Sequence, residues 1–362
     1  MTDAEPSPPG LTATEGTSPG RNVTGVTSSE LAAMAKAIDL ARASGVRRGP
    51  NPVVGCVLLD PQGRVLSTGF HRGPGTAHAE AAALAAAGER ARGCTAVVSL
   101  EPCAHHGRTP PCADALLNAG VNRVVFAQTD PNPEAAGGAA LLRDAGVAVV
   151  GGVLAEQAAA LNPIWSAAAG LGRPVVTWKV AASLDGRIAA ADGTSKWITG
   201  PAAREQVHEL RASVDAVLTG TGTALADVPA LTARPGGVLA AEQPLRAVMG
   251  HSEVPAGHPL AAGNPGVVQL ATRDPHAALA QLWQFDVRHV LLECGPRLAG
   301  AFVAADLVDR LVWFAAPIVL GAAGTPVCAG GPATLTDAVG WRITATRTVA
   351  RDVRIDAERE RA

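Results

Sequence analysis

At 362 residues, with 48% hydrophobic side chains, the chain is long enough for two domains that each bury a core. A net charge of −2, no long basic block and no tyrosine argue against nucleic acid as the main partner, and no apolar run approaches the ~20 residues of a membrane span. Six cysteines, two of them in a metal-like pattern, point to a reducing compartment, and the start Met1-Thr-Asp-Ala-Glu5 lacks the pattern of a signal peptide, so a cytoplasmic protein is expected.

Residues 1–26 are rich in Pro, Gly, Ser and Thr without apolar periodicity and are expected to be disordered. Thr27-Ser-Ser-Glu30 has the capping-box pattern of a helix start, with Leu31, Met34 and Ile38 on one face and Gly45 as the stop. Asn51-Pro-Val-Val-Gly-Cys-Val-Leu-Leu59 reads as a turn running into a buried strand. Pro52 pushes Asn51 toward extended backbone. A fixed amide there can donate to and accept from a pyrimidine edge, or it can simply serve the turn. Gly69-Phe-His71 then leads through a Gly-rich loop to His78.

His78 and Glu80 stand two apart, a spacing that separates side chains inside a helix, so they belong at a helix's first turn, continued by Ala81–Ala87. Thr95–Leu100 is the next strand and delivers Cys103. Pro110-Pro111 opens another helix with Cys112 in its first turn, where the helix dipole favours a thiolate. A histidine and two cysteines close three sides of a zinc tetrahedron and leave the fourth for water, with Glu80 placed to carry protons. Zinc base deaminases show this grouping of His-x-Glu, Pro-Cys and a second Cys. Here the two cysteines are separated by a longer loop bearing His105, His106 and Arg108, which suits a phosphorylated substrate. The alternative is a closed structural zinc site with His105 or His106 as fourth ligand, which explains neither Glu80 nor Arg108. Strands at Arg123–Ala127 and Val147–Val150, with a helix between them, complete an α/β layered domain. Cys56 and Cys94 read as buried packing cysteines.

Residues 152–172 read as a helix and linker, after which a second α/β domain begins. Pro174–Ala181 is a strand, Ala182–Gly186 a turn, Ala203–Ala212 a helix and Asp215–Thr219 a strand. That strand ends in Gly220-Thr-Gly-Thr223, a Gly-x-Gly without its third glycine or a following ribose-binding acid, and so a weak dinucleotide signal. Val290-Leu-Leu-Glu-Cys-Gly-Pro-Arg-Leu-Ala-Gly300 is strand, tight turn and helix start, which either holds a diphosphate on its N–H groups or is an ordinary βα turn. Cys294 and Cys328 read as structural.

The run Glu101-Pro-Cys-Ala-His-His-Gly-Arg-Thr-Pro-Pro-Cys112 resembles the deaminase half of the bifunctional riboflavin-biosynthesis deaminase–reductases. Lys179–Arg187, Ser195–Thr199, Leu225–Thr232 and Glu293–Gly300 resemble the reductase half, in the family's order. The resemblance covers roughly residues 30–350. It implies an α/β chain with a cytidine-deaminase-like three-layer domain at 27–151, a linker at 152–172 and a dihydrofolate-reductase-like domain at 173–362. It also implies two steps: a 2,5-diamino-6-ribosylamino-pyrimidinone 5′-phosphate loses ammonia, then NADPH reduces the opened ribosyl group to ribityl. By the same resemblance, His78, Cys103 and Cys112 hold Zn2+, Glu80 shuttles the proton, and Asn51, His71, His105 and Arg108 surround the deaminase substrate. Ala181, Trp197, Thr223, Asp227 and the loop Gly295, Pro296, Arg297, Leu298, Ala299, Gly300 and Ala301 match NADPH-binding positions. Ser195, Arg211, Leu231, Arg234 and Glu293 match the ribose-phosphate substrate positions. The expected partners are a small phosphorylated pyrimidine and further copies of the chain, as a homodimer or higher homo-oligomer.

Three residues depart from the family pattern. Val228 stands where the family has a second Asp before Pro229, Gly250 (followed by His251) where a strand-end Asp is common, and Arg297 where a small polar residue is usual. They bear on the reductase half, so a deaminase with a weak or repurposed reductase domain is one alternative. Two others are a nucleic-acid-editing deaminase, which the near-neutral charge does not support, and a zinc-stabilised binding module without turnover.

Overall fold

Short runs of Val, Leu, Ile and Ala alternate with helical segments along the chain, and a strand covered by helices on both faces must be apolar throughout. The computed structural model describes residues 25–44, 49–73, 75–105, 110–263 and 265–361 and contains two α/β sheets built on this rule. Most of the N-terminal segment expected to be disordered (1–24), the helix stop at Gly45, and His106 and Arg108 lie outside the described residues.

The first sheet has β1 (Gly55–Leu59), β2 (Val65–Phe70), β3 (Thr95–Leu100), β4 (Arg123–Gln128) and β5 (Ala148–Val150) in the order β2-β1-β3-β4-β5. β1 is antiparallel to β2 and β3, while β3, β4 and β5 run parallel. α1 (Ser28–Ala43) packs Ala33, Met34, Ala37 and Ile38 against Val57, Leu59, Val97 and Val125 on one face. α2 (Ala79–Ala87) and α3 (Cys112–Asn118) cover the other face, with Ala83, Ala113 and Leu116 against Cys56, Leu58 and Val98. α4 (Gly138–Asp144) links β4 to β5.

The capping box forms as expected: Thr27 Oγ1 accepts from Glu30 N at 3.2 Å and the Glu30 carboxylate accepts from Thr27 N at 2.8 Å. Leu31 corrects the expected face, being 48% exposed. At 100° per residue it falls roughly 90° from the centre of the buried stripe. Glu30 takes the central position instead, where Arg123 Nε of β4 donates to it at 2.6 Å. The expected strand 51–59 is shorter, because Val53 gives its N–H and C=O to the Asn162 side chain at 2.8 and 2.9 Å rather than to a neighbouring strand. Asn162 precedes α6 (Pro163–Leu171), which follows α5 (Ala155–Ala159). Trp165 of α6 donates from Nε1 to Pro50 O at 2.8 Å. Residues 152–172 therefore pack on the loop that carries Asn51.

The second sheet contains β6 (Val175–Ser183), β8 (Ala216–Gly220), β9 (Leu245–Met249), β10 (Val267–Leu270), β11 (His289–Leu292), β12 (Arg310–Ala316), β14 (Trp341–Val349) and β15 (Asp352–Arg359). Their order is β10-β9-β8-β11-β6-β12-β15-β14; the first six are parallel and the last two antiparallel. β7 (Arg187–Ala189) and β13 (Thr325–Pro326) form a separate ribbon. β6 runs two residues past its expected end, so the turn begins at Leu184. α9 (Pro275–Gln284) and α10 (Pro296–Ala304) cover one face of the sheet through Leu279, Leu282, Ala299 and Phe302. α7 (Pro201–Ala212) and α8 (Thr221–Asp227) lie over the other.

One close approach sets the entry to α2. A Cβ on Gly69 of β2 would lie 2.2 Å from Ala79 O and 2.6 Å from Ala83 N, so glycine is required for α2 to sit where it does. Gly69→Ala must push the start of α2, and with it His78, off the sheet. Thermal melts should show a loss of about 1–3 kcal/mol. An unchanged melting temperature would mean that α2 does not depend on this contact.

Candidate active sites

The first candidate site gathers the ends of three separate elements. His78 is the N-cap of α2, Cys103 follows β3, and Cys112 opens α3. Their ligand atoms all lie within 4.8 Å of one another, with His78 Nδ1 3.2 Å from Cys112 Sγ and 3.8 Å from Cys103 Sγ. One imidazole and two thiols at this spacing suit a single tetrahedral zinc, whose bonds are about 2.0–2.3 Å long. His105 is exposed and outside the ligand set, so the closed site with His105 as fourth ligand does not form.

The two thiols share one hydrogen bond. Cys103, receiving it from Cys112 and lying beside His78, is held down at about 4. Cys112 is driven up, first by that same bond and then by burial. Cys112 opens a helix as expected, and each thiol shifts the other because the two sit side by side at the candidate metal site. Glu80 is buried, and desolvation raises its carboxyl to about 6.

Asn51 and His71 form one unit. Ala77 O accepts from His71 Nδ1 at 3.2 Å, which leaves His71 Nε2 to accept from Asn51 Nδ2 at 3.1 Å. Burial keeps the ring's pKa below its ordinary value, which favours this neutral form. The Asn51 amide is thereby oriented by His71. Both residues line a cavity of about 500 Å³ together with His78, Glu80, Cys103 and His105.

Residues to which the sequence assigned no role complete that cavity. Glu101 is buried and accepts from the backbone N–H groups of Asp130, Gly137 and Ala139 at 3.2, 3.3 and 3.0 Å. Asp130 is raised to about 6, chiefly by burial. Trp165 comes from the linker, and Trp283, Asp286 and Arg288 come from the second domain. The only sequence signal for Asp130 was the Asp130-Pro131-Asn132-Pro133 run after β4.

The second candidate site lies at the carboxyl ends of parallel strands, where open α/β sheets place their ligands. β8 and β11 are neighbours, so the two weak glycine signals meet: Gly295 N donates to Thr223 Oγ1 at 3.0 Å. Gly295 is the N-cap of α10, with Pro296 and the exposed Arg297 in its first turn. Further along, Leu298 packs on Gly220, Ala299 is fully buried, Gly300 backs onto Ala329 O and Ala301 is partly buried, so the ligand-facing part of the run is its beginning. Ala181 lies on β6. Trp197 is 67% exposed under the Arg204 guanidinium, and the Asp227 carbonyl accepts from Lys196 Nζ at 3.1 Å.

Arg211 and Glu293 are brought into direct contact. Arg211 donates to both Glu293 carboxylate oxygens at 2.6 and 3.0 Å, and Lys179 Nζ lies 3.0 Å from Oε2. Burial pushes the Glu293 carboxyl up, but Arg211 and Lys179 outweigh it and hold the group well below the usual carboxylate range. Lys179 was missed as a site residue because it sits inside an ordinary strand run. Arg234 is exposed and donates to Thr232 Oγ1 at 3.0 Å, while Leu231 is buried and Ser195 half-buried.

Two departures from the family pattern have a local cause or consequence. Gly250 has φ 134°, and a Cβ there would lie 2.6 Å from Thr221 Oγ1, so the family's acidic side chain does not fit this backbone. Val228 holds φ 46° at the end of α8, a left-handed position costly for a β-branched residue and easier for Asp.

A family model described as the RibD C-terminal domain matches residues 174–355. One described as the cytidine and deoxycytidylate deaminase zinc-binding region matches residues 27–128. The chain is 46% identical over 307 residues to the riboflavin biosynthesis protein RibD of Mycobacterium tuberculosis (strain ATCC 25618 / H37Rv), covering 84% of this chain and 90% of the relative. It is 39% identical over 358 residues to that of Escherichia coli (strain K12), covering 88% and 96%. Among solved structures, Acinetobacter baumannii RibD, form 2, superposes with a TM-score of 0.78 at 36% identity, covering 92% of this chain and 99% of that one. The Thermotoga maritima diaminohydroxyphosphoribosylaminopyrimidine deaminase/5-amino-6-(5-phosphoribosylamino)uracil reductase gives 0.74 at 31% identity, covering 92% and 99%.

Two measurements test this geometry. Metal analysis should find about one zinc per chain, lost in Cys103→Ser and in Cys112→Ser because a hydroxyl replaces a thiolate poorly; full retention in both would refute the ligand set. For the Glu293 cluster the sign is fixed by a depressed folded-state pKa. Its stabilisation is complete above the unfolded carboxyl's value of about 4.3 and is withdrawn as pH falls toward the lower folded value. Urea unfolding at pH 7 should show Glu293→Gln less stable by about 3 kcal/mol. The gap to wild type should narrow below pH ~4; a gap that stays constant with pH would show that Glu293 is not ionised through these partners.

Proposed function

This chain belongs to the RibD family, and on that premise we propose how its residues divide the work between two sites. It is a bifunctional enzyme of riboflavin biosynthesis, with a zinc-binding deaminase domain and an NADPH-using reductase domain. We draw the domains at 27–151 and 173–362, with the packed helices of 152–172 between them.

The first reaction is hydrolytic deamination of 2,5-diamino-6-ribosylamino-4(3H)-pyrimidinone 5′-phosphate. The observation that carries this assignment is the His78, Cys103 and Cys112 triad beside a buried Glu80. The chemistry zinc supplies when bound is Lewis acidity, which makes a water nucleophile available near neutral pH. Glu80 moves the proton. Buried beside the ligand set, its carboxylate can take a proton from the attacking water and pass it to the ring and then to the departing amine. Water's oxygen joins the ring carbon, the carbon–nitrogen bond breaks, and ammonia leaves. Asn51, held by His71, reads the pyrimidine edge; His105 and Arg108 serve the same substrate.

The second reaction reduces the opened ribosyl group to ribityl with NADPH, giving 5-amino-6-ribitylamino-uracil 5′-phosphate. Thr223, Gly295 and the first turn of α10 receive the cofactor's phosphates, with Ala181, Trp197 and Asp227 along the rest of it. A carboxylate offers about four acceptor positions. Arg211 and Lys179 occupy three on Glu293, which leaves room for a sugar hydroxyl. Arg211, Arg234, Ser195 and Leu231 complete the substrate side. With no acid at position 250 and Arg297 exposed at the helix start, the site favours the extra phosphate of NADPH over NADH. A cytoplasmic location and assembly into a homodimer or larger homo-oligomer belong to the same proposal, and six free cysteines support the former.

The test supplies the diaminopyrimidinone phosphate with NADPH and follows ammonia and NADPH separately. Glu80→Gln keeps the shape and should keep zinc, yet ammonia release should fall at least ~10²-fold while oxidation of NADPH on pre-deaminated substrate continues. Near-normal ammonia release would remove Glu80 as the shuttle. Failure of wild type to oxidise NADPH would leave only the deaminase reading.

A further inference from the structure

We propose that Arg288, a residue of the second domain, binds the substrate phosphate for the first domain's reaction. The inference rests on the deaminase reading above. Arg288 and Trp283 wall the same cavity that holds Glu80 and His78, although more than 200 residues of chain separate Arg288 from Glu80. The reacting ring must lie against Glu80 and the metal ligands, so its ribose-phosphate arm points away from them. The wall that the first domain does not supply is the one bearing Arg288.

The guanidinium is fixed before any ligand arrives. Its Cζ lies 3.6 Å from the centroid of the Trp283 ring. Nη1 donates to Trp283 O at 3.4 Å and to Val287 O at 3.2 Å. Asp286 Oδ1 forms a long ion pair with Nη2 at 4.0 Å and takes no hydrogen bond from it. Among the described residues Nε and Nη2 donate no hydrogen bond to protein, so a phosphate can take that side of the fork by displacing the long Asp286 contact.

Asp215 sets the separation between the two ends of the substrate. Its Oδ2 accepts from Arg288 N and His289 N, each at 2.9 Å, while its Oδ1 accepts from Gly49 N at 3.1 Å, two residues before Asn51. One carboxylate therefore ties the residue that reads the ring to the residue assigned to the phosphate.

The experiment compares deamination of the phosphorylated substrate with that of its dephosphorylated form in wild type and Arg288→Ala. Zinc content and NADPH oxidation on pre-deaminated substrate report folding. The preference for the phosphorylated form, taken as the ratio of kcat/KM values, should fall about 10- to 100-fold, mostly through KM. An unchanged preference, or an equal loss on both substrates, overturns the proposal and makes Arg288 a contact between domains only. If Arg288→Ala does not hold zinc, Arg288→Gln keeps the stem on Trp283 without the charge and is read by the same ratio. Failure of wild type to deaminate the phosphorylated substrate would instead defeat the deaminase reading itself.

Discussion

The deaminase half depends on three chain ends meeting at one point. His78, Cys103 and Cys112 belong to a helix cap, a strand exit and a helix start, and the last two are tied by Ala113 N donating to Cys103 O at 3.2 Å. Their convergence is a product of packing: α2 must lie flush on β2, and α3 must begin where β3 stops. The buried Glu101, which gathers three N–H groups around the cavity floor, makes the same demand from the other side. A site assembled this way tolerates little movement in any one element, because a shift of an ångström at one end leaves the other two donors without a common centre.

Much of this was legible in the sequence, for identifiable reasons. The zinc grouping is short-range and chemically unusual, so residue type and spacing alone carry it. The α1 cap was legible for the same reason, whereas the face of α1 was not. Glu30 was read only as a capping residue, and its pairing with Arg123, 93 positions away, decided which side turned inward. Arg288 and Asp215 left no local signal, and Lys179 showed only as the first residue of a family-like run, not as a partner of Glu293. Each acts across a distance in sequence that periodicity cannot see, and each sits in a run that would read the same if it only packed.

The reductase half shows how two weak signals become one site. Neither Gly220-Thr-Gly-Thr223 nor the turn at Gly295 is persuasive alone. Strand order resolves them, because β8 and β11 are adjacent and parallel although helices and two further strands separate them along the chain. Their carboxyl ends, and the loops that follow, are then side by side without any further cause. Ala299 and Gly300 meanwhile show the limit of carrying a run over whole: the motif is continuous in sequence, but a helix turns its later residues into the core and onto Ala329.

The contact between Gly250 and Thr221 constrains how this chain can change. Restoring an acid at position 250 alone would force a side chain against the Thr221 hydroxyl and onto a backbone angle that suits glycine. Position 221 and position 250 are therefore coupled, and an acid at 250 calls for a smaller or shifted side chain at 221. An uncharged neighbour thus decides whether a charge can stand at position 250.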